Sequence, residues 1–429
     1  QVRGGIGIFN SRVPLVWPGG AYNNYGLNRG TDLRFGDLPF EPDPNNQFQS
    51  IEPGTVSPSG DIDLFVDDFK VPQVFKLNLA VDHKLPWGLI ATIEGLYTKF
   101  LNNVDYQNVN LKPSTLQLTG TPDNRFLYDR RDEIDPTYGR ILLGRNTSKG
   151  FAYNLTAQLT KPFDNGFSAS VSYTYGDSES IFDGTSSQNS SQWRGLHTVN
   201  GRNFERRAAR SDFSVGSRVI AQVSYRKEYG GFAASQIGLF YNGQSGQPFT
   251  YIYNDNGAVN NEDSRERTLI YVPASSDEIV LIDDGGRTAA QQWSELNAYI
   301  EGDDYLSERR GMYVERNSSR VPFESILDLR FLQDFYIETG SGKRNTLQFS
   351  LDIFNLSNLI NKDWGWRYFP GSFGSVELLN FEGFQADGTT PTYTYDGEER
   401  LEDFLTLDDS GVRSSRWQMQ VGLRYIFGN

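Results

Sequence analysis

The chain contains no cysteine, which excludes disulfide staples and thiolate metal centres. Histidine is almost as scarce. His83 and His197 are the only two, leaving little for imidazole catalysis or a zinc site. No apolar run approaches the ~20 residues that a membrane-crossing helix requires. No basic leader followed by an apolar core opens the chain. Positive charge is in the minority, with 40 Lys and Arg against 54 Asp and Glu. The resulting net charge of −14 would repel phosphates and argues against a nucleic-acid partner. A Walker loop, a dinucleotide fingerprint, a nucleophile elbow and a His–Glu zinc pair are all missing, and the two histidines fall in a short turn and a long loop. An enzyme is not the expectation.

Aromatic residues and glycine are plentiful. The 429 residues include 29 Phe, 23 Tyr, 7 Trp and 43 Gly. The last stretch organises the rest. Trp417, Met419, Val421, Leu423, Tyr425 and Phe427 alternate with Arg416, Gln418, Gln420, Gly422 and Arg424, and only Ile426 breaks the pattern. A strand places alternate side chains on opposite faces, so this segment has one apolar and one polar face. A strand with lipid on one side, water on the other and aromatics at the interface looks like this. The mean hydropathy of −0.53 does not oppose that reading, because only alternate strand residues meet lipid and the loops are polar.

The same alternation recurs along the chain. Residues 1–9 read as a strand already under way. Further strands carry Phe75 to Val81, Trp87 to Tyr97, Phe151 to Leu159, Phe167 to Tyr175, Val219 to Tyr225, Ile237 to Tyr241, Leu327 to Phe335 and Leu347 to Ile353. With the closing strand that makes ten. Short turns, including the Asn165-Gly166 hairpin signal, alternate with long polar segments at 10–70, 100–150, 177–212, 243–322 and 357–413. Within one of these, Trp293, Leu296 and Ile300 recur at helical spacing and predict a helix packed on the barrel mouth. The expected fold is all-β, a transmembrane antiparallel up-and-down barrel with its long loops on one side, in the outer membrane of a bacterial cell. Inward positions such as Asn78, Ala80, Asn154, Thr156, Ser168, Ser170, Ser172 and Gly422 are small or modest. They suit a wide lumen filled by a separate domain. The sheet is therefore expected to stay open, with residues 2–9 and 416–427 at its two edges.

Several stretches then acquire a family likeness. They are Arg3-Gly-Gly-Ile-Gly-Ile-Phe9 with Val13-Pro-Leu-Val-Trp17, Lys84-Leu-Pro-Trp-Gly88, Leu239-Phe-Tyr-Asn-Gly-Gln-Ser-Gly-Gln-Pro248, Leu351-Asp-Ile-Phe-Asn-Leu356 leading into Asn361-Lys-Asp-Trp-Gly-Trp366, and the closing strand. Together they resemble the Oar-like branch of TonB-dependent outer-membrane receptors over essentially the whole chain. The resemblance implies a barrel of about 22 strands, of which residues 1–429 would supply the C-terminal ten, with the plug and N-terminal domains outside this chain. It also implies active import of a large or scarce solute, with TonB engaged through the absent N-terminal part. The alternative is a surface adhesion or secretion-associated barrel acting through its loops, with a surface lipoprotein or another barrel as partner. Outer-membrane lipid and lipopolysaccharide are expected neighbours in either case.

Two loop constellations are candidate sites. Tyr251, Tyr253, Trp364 and Trp366 offer aromatic faces suited to sugars, peptides or aromatic chelates, although an interfacial aromatic girdle explains them more simply. Asp255, Asn256, Glu262 and Asp263 form an oxygen-rich run around Gly257, and calcium is the ion such oxygens would take. A solvated Asx-rich turn is the plainer explanation, and the spacing is not that of an EF-hand. Asp61, Asp63, Asp67 and Asp68 are a weaker case of the same kind. Arg202, Arg206, Arg207 and Arg210 are expected to pair with neighbouring acids or lipopolysaccharide phosphates.

Overall fold

The structure is a computed structural model describing residues 1–25, 40–46, 60–129, 132–254, 259–263, 267–338, 340, 342–371, 374–408 and 415–428. Ten long strands make its main sheet. They are β1 (Val2–Asn10), β2 (Gln73–Lys84), β3 (Ile90–Asn108), β4 (Gly150–Asp164), β5 (Phe167–Ser180), β6 (Gly216–Tyr229), β7 (Ala233–Gln244), β8 (Glu324–Glu338), β9 (Arg344–Phe354) and β10 (Gln418–Ile426). Each pairs antiparallel with the next in sequence, so the order is a plain meander. Among the described residues β1 ladders only with β2, and β10 only with β9. Residues 2–9 do not meet 416–427, and the sheet is open, as its small inward residues led us to expect.

Register explains why the two faces differ so sharply. Ile6, Leu77, Tyr97 and Tyr153 stand abreast on one face, as do Ile237, Phe331, Leu351 and Val421. The other face carries Arg3, Ala80, Glu94, Thr156, Thr174 and Arg218 in a single row. On the apolar face Ile6 is 72% exposed and Leu423 73%. A contiguous apolar surface of this extent is stable only against an apolar medium. The polar face satisfies itself with short side chains and ion pairs. Ser168 and Ser224 share a hydrogen bond of 2.8 Å, Arg3–Asp82 at 3.1 Å joins adjacent strands, and Arg226–Asp334 at 2.8 Å reaches from β6 across β7 to β8.

Because the strands alternate in direction, all connections at one end are short and all at the other are long. The tightest is Asn165-Gly166, where φ of 51° and 84° matches the primed turn that hairpin twist favours. One strand limit differs from expectation. Trp87, assigned to a strand face, sits with φ 60° in the one-turn helix Pro86–Gly88, and β3 begins only at Ile90. His83, placed in that turn, instead belongs to β2 opposite Ala91.

The long segments are not irregular. Ile62–Phe65 pairs in parallel with Ile141–Thr147, which itself ladders onto the upper part of β3. Pro248–Asn254 lies between Ser319–Arg320 and Ser375–Phe384, again parallel to the latter. The predicted helix is present as α1 (Ala289–Gly302), started by a Thr288–Gln291 capping box. Its buried positions Gln292, Leu296, Tyr299 and Ile300 face the loop core, with Val321, Val376 and Tyr395, rather than the barrel mouth. The loops thus fold together into a cap with two hydrophobic clusters of its own.

Candidate binding site in the loop cap

Tyr251 and Tyr253 lie on the central strand of the cap sheet and are fully enclosed. The Tyr251 hydroxyl donates to Asp303 at 2.6 Å and lies 3.1 Å from the Tyr299 hydroxyl. Burial, then Tyr299 and Asp303, push its pKa far above the ordinary tyrosine range, so it remains a donor. Tyr253 stacks on Tyr393 with centroids 4.9 Å apart. The guanidinium of Arg125 sits 5.1 Å above its ring and is held bidentately by Asp123 at 2.8 and 2.7 Å. These two tyrosines are core of the cap, not open stacking faces. Trp364 and Trp366 remain exposed and outside that core, in the turn that follows β9. The Trp417 amide at the head of β10 bonds to Asn358 of the same segment at 3.3 Å. The structure therefore separates the expected aromatic quartet into a buried pair and a rim pair.

The oxygen-rich run is similarly divided. Asp255 and Asn256 lie outside the described residues. Glu262 is buried against Arg202, with Nη1 at 3.0 Å and the Arg202 backbone N–H reaching both carboxylate oxygens at 2.9 and 3.1 Å. Asp263 accepts from Arg140 at 2.7 Å and from Arg194 at 2.8 Å, while Arg140 also holds Asp61 at 3.0 Å. Burial alone would raise the Asp263 pKa, but the Arg140 hydrogen bond and the surrounding guanidinium charges pull it down to about 2. Three guanidinium groups from two loops, 100–150 and 177–212, face these carboxylates where calcium was expected. Among the described residues no cluster of three or more acidic or histidine side chains is arranged to hold a metal. The arginine expectation holds in part, since Arg202, Arg206 and Arg210 pair with Glu262, Asp105 and Asp177.

His197 is half-buried, with Nε2 3.0 Å from the Ser375 hydroxyl. The distance suits a nucleophile and its base, yet the surroundings do not. Burial first, then Arg267, Arg316 and Arg202, hold the imidazole pKa well below its usual value. Taking a proton from serine would create an imidazolium among guanidinium groups.

Two cavities flank this core. One, of about 540 Å³, opens between the first loop and the sheet, with Trp17, Phe100, Tyr106, Asn154, Ser178 and Phe182 in its wall. The other, of about 410 Å³, lies between the top of β5 and residues 305–318. No local pattern in the sequence marks either one, because their walls come from segments far apart in the chain.

No curated protein matches this chain. Among solved structures, the crystal structure of the outer membrane transporter YddB from Escherichia coli matches this chain at 10% identity, with a TM-score of 0.36. The match covers 86% of this chain but 35% of that one, so the chain spans about a third of its length. Residues 1–369 match the family described as an outer membrane beta barrel domain, and the chain belongs to that family.

Proposed function

We propose that residues 1–429 form the C-terminal part of the barrel of a TonB-dependent outer-membrane transporter that imports a large or scarce solute. One observation carries this reading. The polar face of an open ten-stranded sheet is lined with small residues and paired charges rather than with bulky filler. A narrow closed barrel fills its interior with side chains, whereas a polar wall of this kind suits a wide lumen around a separate plug. The free edges of β1 and β10 would pair with the remaining strands, and the folded cap would form the extracellular entrance. The Oar-like likeness of the strand and turn motifs supports the same assignment.

Binding of the full-length protein to the periplasmic domain of TonB, and loss of solute uptake when the proton gradient is collapsed, are the expected results. Full-length protein that ignores TonB refutes the reading. Closure is tested separately in this cysteine-free chain. A disulfide should not form between Ile6→Cys and Val421→Cys in the intact protein, and efficient crosslinking would show a complete small barrel instead. A second reading, adhesion or secretion with a surface lipoprotein or another barrel as partner, draws on the cap having its own hydrophobic core. Such a core gives a partner a rigid surface.

A further inference from the structure

The cavity at the top of β5 is walled on one side by residues of the sheet's membrane-facing side and on the other by the cap. Tyr173 and Tyr175 point to the apolar face, and a period of two carries Asp177 and Glu179 onto the same face just above them. Arg210 stands directly opposite Glu179 in register, and its Nε lies 3.4 Å from Asp177. Tyr153, opposite Asp177 in register, and Tyr175, its ring centroid 6.2 Å away, share that face but do not line the cavity. The wall formed by Asp177, Glu179 and Arg210 therefore stands at the level where the outer leaflet passes from acyl chain to headgroup.

Its charges do not all cancel internally. Asp177 is used by Arg210 and Glu315 by Arg309 at 3.2 Å. Glu205 accepts the backbone N–H groups of Val199 and Asn200 at 3.0 and 2.9 Å. Arg207, Arg316 and Glu179 remain in the lining without an ion pair among the described residues. Arg316 is held by carbonyl oxygens, Ile181 at 2.6 Å, Ala209 at 3.0 Å and Ser180, which orient its plane but do not neutralise its charge. Its Nε has no acceptor. Arg207 is exposed.

We propose that this cavity seats the phosphate-bearing headgroup of an outer-leaflet lipid. Arg207 and the Arg316 edge take the phosphate, and Glu179 takes an ammonium or counter-cation beside it. Two guanidinium groups in one lining match the charge of a phosphate monoester, and about 410 Å³ is room for a headgroup but not for a folded partner. The proposal needs only the outer-membrane placement and stands whether or not the protein transports a solute.

The test uses the full-length protein in phosphatidylcholine nanodiscs containing either bisphosphorylated lipid A or its dephosphorylated form. Retained lipid is counted by native mass spectrometry. Wild type should retain the phosphorylated lipid selectively. Arg207→Ala should lower that retention roughly tenfold, the size expected for one lost charge-assisted contact. Arg207→Lys should recover part of it, and Arg218→Ala, on the opposite face, should change nothing. Arg316 is left intact because it ties three carbonyls together. Equal retention by wild type and Arg207→Ala overturns the proposal. So does displacement of the lipid by millimolar inorganic phosphate, which would identify a free-phosphate site. Retention of a peptide instead of lipid would assign the cavity to another class of ligand and equally overturn it.

Discussion

Replacing Glu262 by Gln removes the carboxylate that Arg202, charged and buried, holds at 3.0 Å. The pair is almost completely enclosed, with side-chain exposures of 2% and 1%, and Arg202 rests 5.1 Å from the Trp193 ring. Breaking a buried pair from one side typically costs about 3–5 kcal/mol. The amide oxygen of Gln can still accept one hydrogen bond, which places the expected loss near the low end, about 3 kcal/mol. That corresponds to roughly a hundredfold rise in local opening. Hydrogen exchange on the detergent-solubilised protein should show it at amides 199–205 and 259–263. Amides of β10 from Val421 to Tyr425 should exchange as in wild type, because the sheet does not depend on this pair. The double substitution Arg202→Met with Glu262→Leu removes both charges and should recover most of the loss. Unchanged exchange in Glu262→Gln, or a double variant as loose as the single one, would refute the account.

Asp263 provides a pH dependence. Its folded pKa of about 2 lies below the unfolded value of 3.8, so its contribution is complete above the unfolded value and is lost as pH falls through 2. The contribution is on the order of 2 kcal/mol, and Trp193 fluorescence between pH 5 and 2 should track it in wild type but not in Asp263→Asn. Calcium titrated into the protein should release no heat that depends on Glu262 or Asp263, since arginines already occupy both carboxylates. A calorimetric signal abolished by Asp263→Asn would overturn that assignment. Gly166→Ala places a side chain at φ 84° facing the Arg226 carbonyl, and should cost about 1–2 kcal/mol in thermal unfolding. A variant as stable as wild type would mean the turn can relax.

The ten strands were legible because a strand records its two faces locally, residue by residue. Trp417 to Phe427 displays lipid and water sides without reference to any other segment. The Asn165-Gly166 hairpin and the spacing of Leu296 and Ile300 in α1 are equally local. Trp87 went to the wrong element because its left-handed turn interrupts an alternation that looked continuous. The candidate site was far less readable. Tyr251 and Tyr253 are enclosed by Ser375–Phe384, which approaches as a parallel strand from more than a hundred residues away. Glu262 and Asp263 looked like metal oxygens because Arg140, Arg194 and Arg202 reach them from other loops. Pairings of that span leave no periodicity behind.

The parallel pairings in the cap also impose an order in time. Ile62–Phe65 cannot dock on Ile141–Thr147 until β1 to β4 stand side by side, and Pro248–Asn254 must wait for Ser375–Phe384 to arrive. Contacts between such distant segments carry the loop-closure entropy of everything between them, so they form late unless a scaffold has already shortened the distance. The meander is that scaffold, and it joins only neighbours. Cap closure thus follows the meander, and a ligand or antibody specific for the closed cap would report that the strands beneath it are correctly laid down.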